Sequence, residues 1–141
     1  MNIEHVSPYI HLNGTVEKAI QLYERALGAK VESVMRYGDA PGVCDDKPEN
    51  KDLVLHSALR IGGSRMMLND EPPDRPAAVE GNVEVALQFA EVEDLEKAFA
   101  ALAEGGKVTV PPQDMFWGAR FGALTDAYGV RWMFNCPLKT T

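Results

Sequence analysis

Apolar residues recur along this chain with two different periods. From Thr15 the run TVEKAIQLYERALG places Val16, Ala19, Ile20, Tyr23 and Leu27 on one stripe, the spacing of an amphipathic helix. Thr15 is the expected N-cap, Glu17 lies in the positive first turn, and Gly28 is the expected C-terminal stop. From Asp94 the run DLEKAFAALAEGG repeats the pattern with Leu95, Ala98, Phe99 and Leu102, with Asp94 as cap and Gly105-Gly106 as stop. Between the helices the period shortens to two. Leu55, Ser57, Leu59 and Ile61 point one way, with His56, Ala58 and Arg60 opposite. Strands are expected at 6–12, 30–37, 53–61 and 64–68 in the first half, and at 82–89, 107–110, 120–125 and 130–135 in the second. The stretch 38–50 reads as a polar loop rich in Gly and Pro.

The two halves echo one another. Glu17-Lys18-Ala19 recurs as Glu96-Lys97-Ala98, and Gly63-Ser64-Arg65-Met66-Met67-Leu68-Asn69 resembles Gly129-Val130-Arg131-Trp132-Met133-Phe134-Asn135. The echoes keep their order, helix first and strand later, which internal duplication explains. The expectation is one α+β domain over 1–141, with module one at 1–70, a proline-rich linker at 71–81 and module two at 82–141. Each module reads β-α-β-β-β. A four-stranded mixed sheet with one helix leaves its other face bare, so paired sheets around a cleft are expected, with a small molecule in the concave interior.

Composition narrows the function classes. Of 141 residues, 25% are charged and the formal net charge is −7, which argues against a nucleic-acid surface. No apolar run approaches the ~20 residues needed to cross a bilayer, and the start Met1-Asn2-Ile3-Glu4-His5 lacks a signal-peptide pattern, so no membrane partner is expected and the cytoplasm is the expected compartment. Cys44 and Cys136 stand in no metal spacing and read as free thiols. A glycine-rich phosphate loop, a Gly-x-Gly-x-x-Gly turn and a Gly-x-Ser-x-Gly elbow are all missing.

Several ordered stretches carry a family resemblance. They are Ser7-Pro8-Tyr9-Ile10-His11-Leu12-Asn13-Gly14, Leu22-Tyr23 through Leu27-Gly28-Ala29, His56 to Gly63, Met66 to Asp70, Phe116 to Gly122 and Thr125 to Trp132. Together they resemble the vicinal oxygen chelate superfamily of glyoxalase I, extradiol dioxygenases and bleomycin-resistance proteins. More closely they look like its PhnB-like branch, some members of which carry the label 3-demethylubiquinone-9 3-methyltransferase. The missing glycine-rich strand-to-helix turn speaks against S-adenosylmethionine-dependent methyl transfer here. The resemblance implies a homodimer, with the cleft formed within one chain or across two.

It also implies where a metal belongs, at one residue from the first and one from the last strand of each module. Those positions hold Ser7, Met67, Glu84 and Met133. Two thioethers, a hydroxyl and a carboxylate do not suit Mg, Mn, Fe(II) or Zn, which prefer oxygen and imidazole donors. Shifting the first strands by one residue brings in Pro8 and Val85, which is worse. No metal and no other cofactor is expected.

Other side chains are candidates for binding or chemistry. His11 and His56 fall on the cleft-facing side of their strands, either as general bases or as partly buried histidines bonded to backbone or water. Tyr9 shares that side. Arg65 and Arg131 are equivalent in the repeat, and Arg60 can share their face. They either hold an anionic ligand group or pair with acidic residues at the rim. Trp117 and Trp132, with Arg120 between them in sequence, either wall an aromatic pocket or belong to the core. Asp126 reads as a turn former before the last strand, and Met66, Met67 and Met133 would make a pocket apolar and adaptable. The function these residues favour is binding of a small amphipathic metabolite or drug. The alternatives are a metal- or His-dependent enzyme on a small metabolite, and sequestration of a drug, for which the acidic charge favours a cation.

Overall fold

In the computed structural model, which describes residues 1–40 and 47–139, the period-two segments become eight strands in two mixed four-stranded sheets. The first half contains β1 (Tyr9–Leu12), α1 (Val16–Leu27), β2 (Lys30–Arg36), β3 (Val54–Ile61) and β4 (Ser64–Asp70). The second contains β5 (Val85–Gln88), α2 (Val92–Leu102), β6 (Lys107–Met115), β7 (Ala119–Thr125) and β8 (Arg131–Pro137). Strand order is β1-β4-β3-β2 in sheet one and β5-β8-β7-β6 in sheet two, so both halves have one topology. In each, the first strand lies parallel to the last and the other pairs are antiparallel. The α+β expectation is met, as two open sheets. The chain divides into two compact units, Met1–Glu24 with Gly28–Ala78, and Arg25–Leu27 with Val79–Thr141.

Most of each helical stripe is buried, although Leu27 is only half-buried and Leu22, off the stripe, is buried as well. Val16, Ala19, Ile20 and Tyr23 are buried on α1, and the matching Leu95, Ala98, Phe99 and Leu102 on α2. Gly28 ends α1 in a left-handed conformation with φ of 65°, which glycine adopts without a Cβ penalty. On sheet two, α2 presses close enough that a Cβ at Gly122 would lie 2.9 Å from the Phe99 ring. Phe99 also meets Phe134 edge-on, with centroids 4.9 Å apart.

Four local expectations need correction. The Thr15 side chain makes no capping bond; instead Asp70 Oδ1 accepts the Val16 N–H at 3.0 Å, reaching the helix end from β4. Helix α2 starts at Val92 with Glu91 before it, so Asp94 lies in the first turn, where its charge complements the helix dipole. Strand β6 runs through Pro111-Pro112 to Met115, well past Val110. It is the edge of sheet two, where a proline costs no ladder bond, and the second of its two register shifts falls between Val110 and Gln113, around the prolines. Strand β1 starts at Tyr9, after Pro8, whose nitrogen has no proton to donate and whose carbonyl accepts from Met67 N. Cys136 is buried in β8, while Cys44 and part of the expected polar loop lie outside the described residues. No helix among the described residues is long and apolar enough to cross a membrane.

Two buried carboxylates secure the units. Asp70, 2% exposed, accepts Val16 N–H with one oxygen and Val54 N–H with the other, while its carbonyl accepts the Tyr37 hydroxyl at 2.7 Å. Asp126 accepts the N–H groups of Tyr128 and Val130 and the indole N–H of Trp132, the turn role its position suggested. Removing an ionised acceptor from buried donors costs about 1.5–3 kcal/mol per bond. Asp70→Ala should therefore lower unfolding free energy by at least about 3 kcal/mol in urea denaturation, whereas exposed Asp52→Ala should change it by under about 0.5 kcal/mol. A loss below 1 kcal/mol at Asp70 would contradict the bridging role.

Candidate functional site

Alternation through β4 sorts the side chains of unit one. Met66, Leu68 and Asp70 are buried on the helix side, where Asp70 reaches the start of α1, so Met66 is a core residue and not the pocket residue expected alongside Met67. Arg65, Met67 and Asn69 therefore lie on the opposite, helix-free face. Register then brings Tyr9 beside Met67 and His11 beside Asn69 from β1, and Ala58 beside Met67 from β3. His56 and Met35 are paired on β3 and β2.

These side chains form a connected group. The Tyr9 hydroxyl lies 3.2 Å from His56 Nδ1, and the two rings meet edge-on at 5.6 Å. Tyr9 also stacks on His11, with centroids 4.8 Å apart and planes 28° apart. His11 Nδ1 is hydrogen-bonded to Asn69 Oδ1 and lies 3.4 Å from Glu71 Oε1. Asn69 Nδ2 donates to Glu71 Oε1 at 3.2 Å. Both candidate histidines thus join one network through Tyr9, with apolar Met67 and Ala58 beside it. Asn69 and Glu71 had not been singled out as site residues. Their signal was present, since Asn69 lies two residues beyond Met67, and Glu71 continues the same alternation where the sequence suggested only linker.

The arginines are committed elsewhere. Arg65 Nε donates to Glu32 at 2.8 Å and Arg60 Nη2 to the same carboxylate at 3.2 Å. Glu32 is held below the usual carboxylate value by the Arg65 hydrogen bond first and Arg60 next, and Arg65 is raised in turn by Glu32. Glu32 was not anticipated as their partner, because β2 carries a register shift between Val31 and Ser33 that breaks simple alternation.

In unit two the helix-free face carries Ala86, Gln88, Phe121, Ala123, Met133 and Asn135 by register. Met133 stands opposite Ala86 as Met67 stands opposite Tyr9. Asn135 Nδ2 donates to Gln88 Oε1 at 3.0 Å. Trp117 sits at the turn between β6 and β7, 54% exposed and edge-on to Phe121 at 5.8 Å. Trp132 is a core residue, fully buried and bonded to Asp126. Arg120 lies on the helix side of the sheet, paired with Asp114 of β6 and Glu96 of α2, and its guanidinium is raised by both. Arg131 donates to the Gly81 carbonyl at 2.7 Å. Ser7 and Glu84 precede β1 and β5 as exposed or half-exposed residues.

The donors at the positions the resemblance assigns to a metal do not fit one. Met67, beside Tyr9, and Met133, beside Ala86, offer only thioethers, and hard or borderline divalent ions bind thioethers poorly. Among the described residues, His, Cys, Asp and Glu do not gather in threes able to hold a metal ion.

Comparison with known proteins gives consistent matches. The family model described as Glyoxalase/Bleomycin resistance protein/Dioxygenase superfamily matches residues 3–134. Protein YjdN of Escherichia coli is 33% identical over 138 residues, covering 92% of this chain and 93% of that protein. The crystal structure of PA1353 from Pseudomonas aeruginosa is 34% identical with a TM-score of 0.85, covering 97% of this chain and all of that one. A PhnB protein from Bacillus cereus shares the fold at 20% identity, with a TM-score of 0.76 over 94% of this chain and 99% of that one.

The shared carboxylate gives a test of the arginine assignment. Arg65→Met should raise the Glu32 titration toward the ordinary value of about 4.3, and further than Arg60→Met does. Because the folded value is lowered, whatever the pair contributes is present above the ordinary value and is lost as pH falls through the lowered one. Carboxyl-carbon NMR titration reads this directly, and an equal or larger rise in Arg60→Met would contradict the order.

Proposed function

The chain belongs to the glyoxalase/bleomycin resistance protein/dioxygenase superfamily, and on that premise we propose that it binds a small amphipathic molecule on the helix-free face of sheet one. The observation that carries this reading is the Tyr9-centred group, in which an aromatic ring beside Met67 is joined to two imidazoles and, through His11, to a buried amide. Such a surface offers a flat apolar body something to lie against and gives its polar end fixed partners. The reading includes no catalytic metal, since the expected positions offer two thioethers, a hydroxyl and a carboxylate, with no imidazole among them. It also includes the homodimer that the resemblance implies, and takes the two units as copies of one ancestral module on the strength of their common strand order.

A second reading, catalysis on a small metabolite, has one specific observation in its favour. His11 is oriented by a neighbouring amide and carboxylate, as imidazoles that transfer protons are.

A thermal-shift screen of metabolites and drugs, followed by NMR of methyl-labelled methionines, tests the proposal. Hits should shift the Met67 and Met35 signals, and Tyr9→Ala should weaken them about tenfold, the value of one good aromatic contact. Hits that move only Met1 or Met115 would place binding elsewhere. A stoichiometric divalent ion retained by the purified protein would overturn the metal-free part, and turnover abolished by His11→Ala would favour the enzyme. Light scattering at micromolar concentration should give twice the chain mass; a monomer would refute the dimer.

A further inference from the structure

Around His11 the hydrogen bonds can run in only one direction. Asn69 Nδ2 lies 3.4 Å from the Asp70 carbonyl oxygen and 3.2 Å from Glu71 Oε1. A carbonyl and a carboxylate only accept, so the amide nitrogen of Asn69 must face them. Its oxygen is then the atom turned toward His11 Nδ1. That oxygen cannot donate, so the proton between them belongs to Nδ1. A neutral imidazole carrying its proton on Nδ1 has a lone pair on Nε2. Asn69 is 7% exposed and fixed by its two acceptors, whereas the His11 side chain is 48% exposed. Stacking on Tyr9 sets the plane of the ring.

The geometry points to His11 Nε2 as an acceptor that selects ligands bearing a weakly acidic hydroxyl on a flat apolar body, a phenol or an enol. Asn69, backed by Glu71, is the positioning residue. This rests on the proposal that a small molecule binds this face, and names its class. An anionic end is a poor match at this point, because a carboxylate or phosphate has no proton for Nε2 and would approach the Glu71 charge. A hydroxyl shares its proton with Nε2. If the proton crosses fully, the O–H electron pair stays on the phenolate, and the imidazolium is balanced by Glu71, 3.4 Å from its other nitrogen. In unit two the equivalent strand pair holds Gln88 and Asn135, two amides that do not titrate, so the proton-accepting feature belongs to unit one.

The test uses the full chain, with 4-chlorophenol, which keeps its proton at neutral pH, and its methyl ether 4-chloroanisole as probes that share a body and differ in the donor. Imidazole nitrogen NMR of the free protein should show His11 protonated at Nδ1, and Asn69→Ala should abolish that preference. The phenol should bind about tenfold more tightly than the ether, as one good hydrogen bond requires. His11→Gln should reduce the preference to within about twofold, and Asn69→Ala should weaken the phenol while leaving the ether unchanged. Circular dichroism confirms that both variants fold. His11 protonated at Nε2 in the free protein would overturn the inference without any ligand. Equal binding of phenol and ether, with Tyr9 and Met67 signals shifted, would overturn the inference and leave the binding proposal standing. If neither probe perturbs those signals, the assigned ligand class is wrong; if the metabolite screen is also empty, the binding proposal falls with it.

Discussion

The carboxylate of Asp70 has to lie on the helix side of β4, because it is the acceptor for the first N–H of α1 and for the N–H that opens β3. Along a strand paired without register shifts, as β4 is, side chains alternate, so fixing Asp70 fixes its neighbours. Asn69 is sent to the helix-free face, as is Met67, and Glu71 follows just beyond the strand. The group that would meet a ligand is thus placed by a group that meets only backbone. A carboxylate in this position also takes over the capping task that Thr15 leaves undone.

The two units share a strand order and a buried helical stripe, and differ in what they display on the helix-free face. Unit one shows Tyr9 and His11 where unit two shows Ala86 and Gln88, opposite the same methionine and the same asparagine. The two units thus share scaffold positions and differ in the chemistry they display there, which is how one fold supports many functions. The methionines matter for what they are not. At the positions that the resemblance assigns to a metal, a thioether is a poor donor for a hard divalent ion and a deformable apolar group.

Much of the architecture was legible from local rules. The helices, their buried positions and the pairing of faces along β3 follow from periodicity, because a core-facing stripe is an energetic requirement that one sequence suffices to show. The departures are equally physical. Pro111 and Pro112 read as a strand end, yet β6 continues because it is an edge with no ladder partner on its outer side. Asp94 reads as a cap, yet the helix begins at Val92 without a side-chain cap. For Arg65 the sequence leaves a ligand contact and a rim ion pair both open, and it is Glu32 from β2 that lies within reach.

The sequence by itself determined the fold class, the family, and the sides on which Tyr9, His11, His56, Met67 and Met133 lie. These depend on residue type and on spacing within one element. The tertiary structure decided the partners: Glu32 for two arginines, Asp126 for Trp132, and Asn69 with Glu71 for His11. Hydrogen bonds and ion pairs join residues far apart in the chain within a few tenths of an ångström. That precision comes from strand register and bulges, which periodicity does not encode.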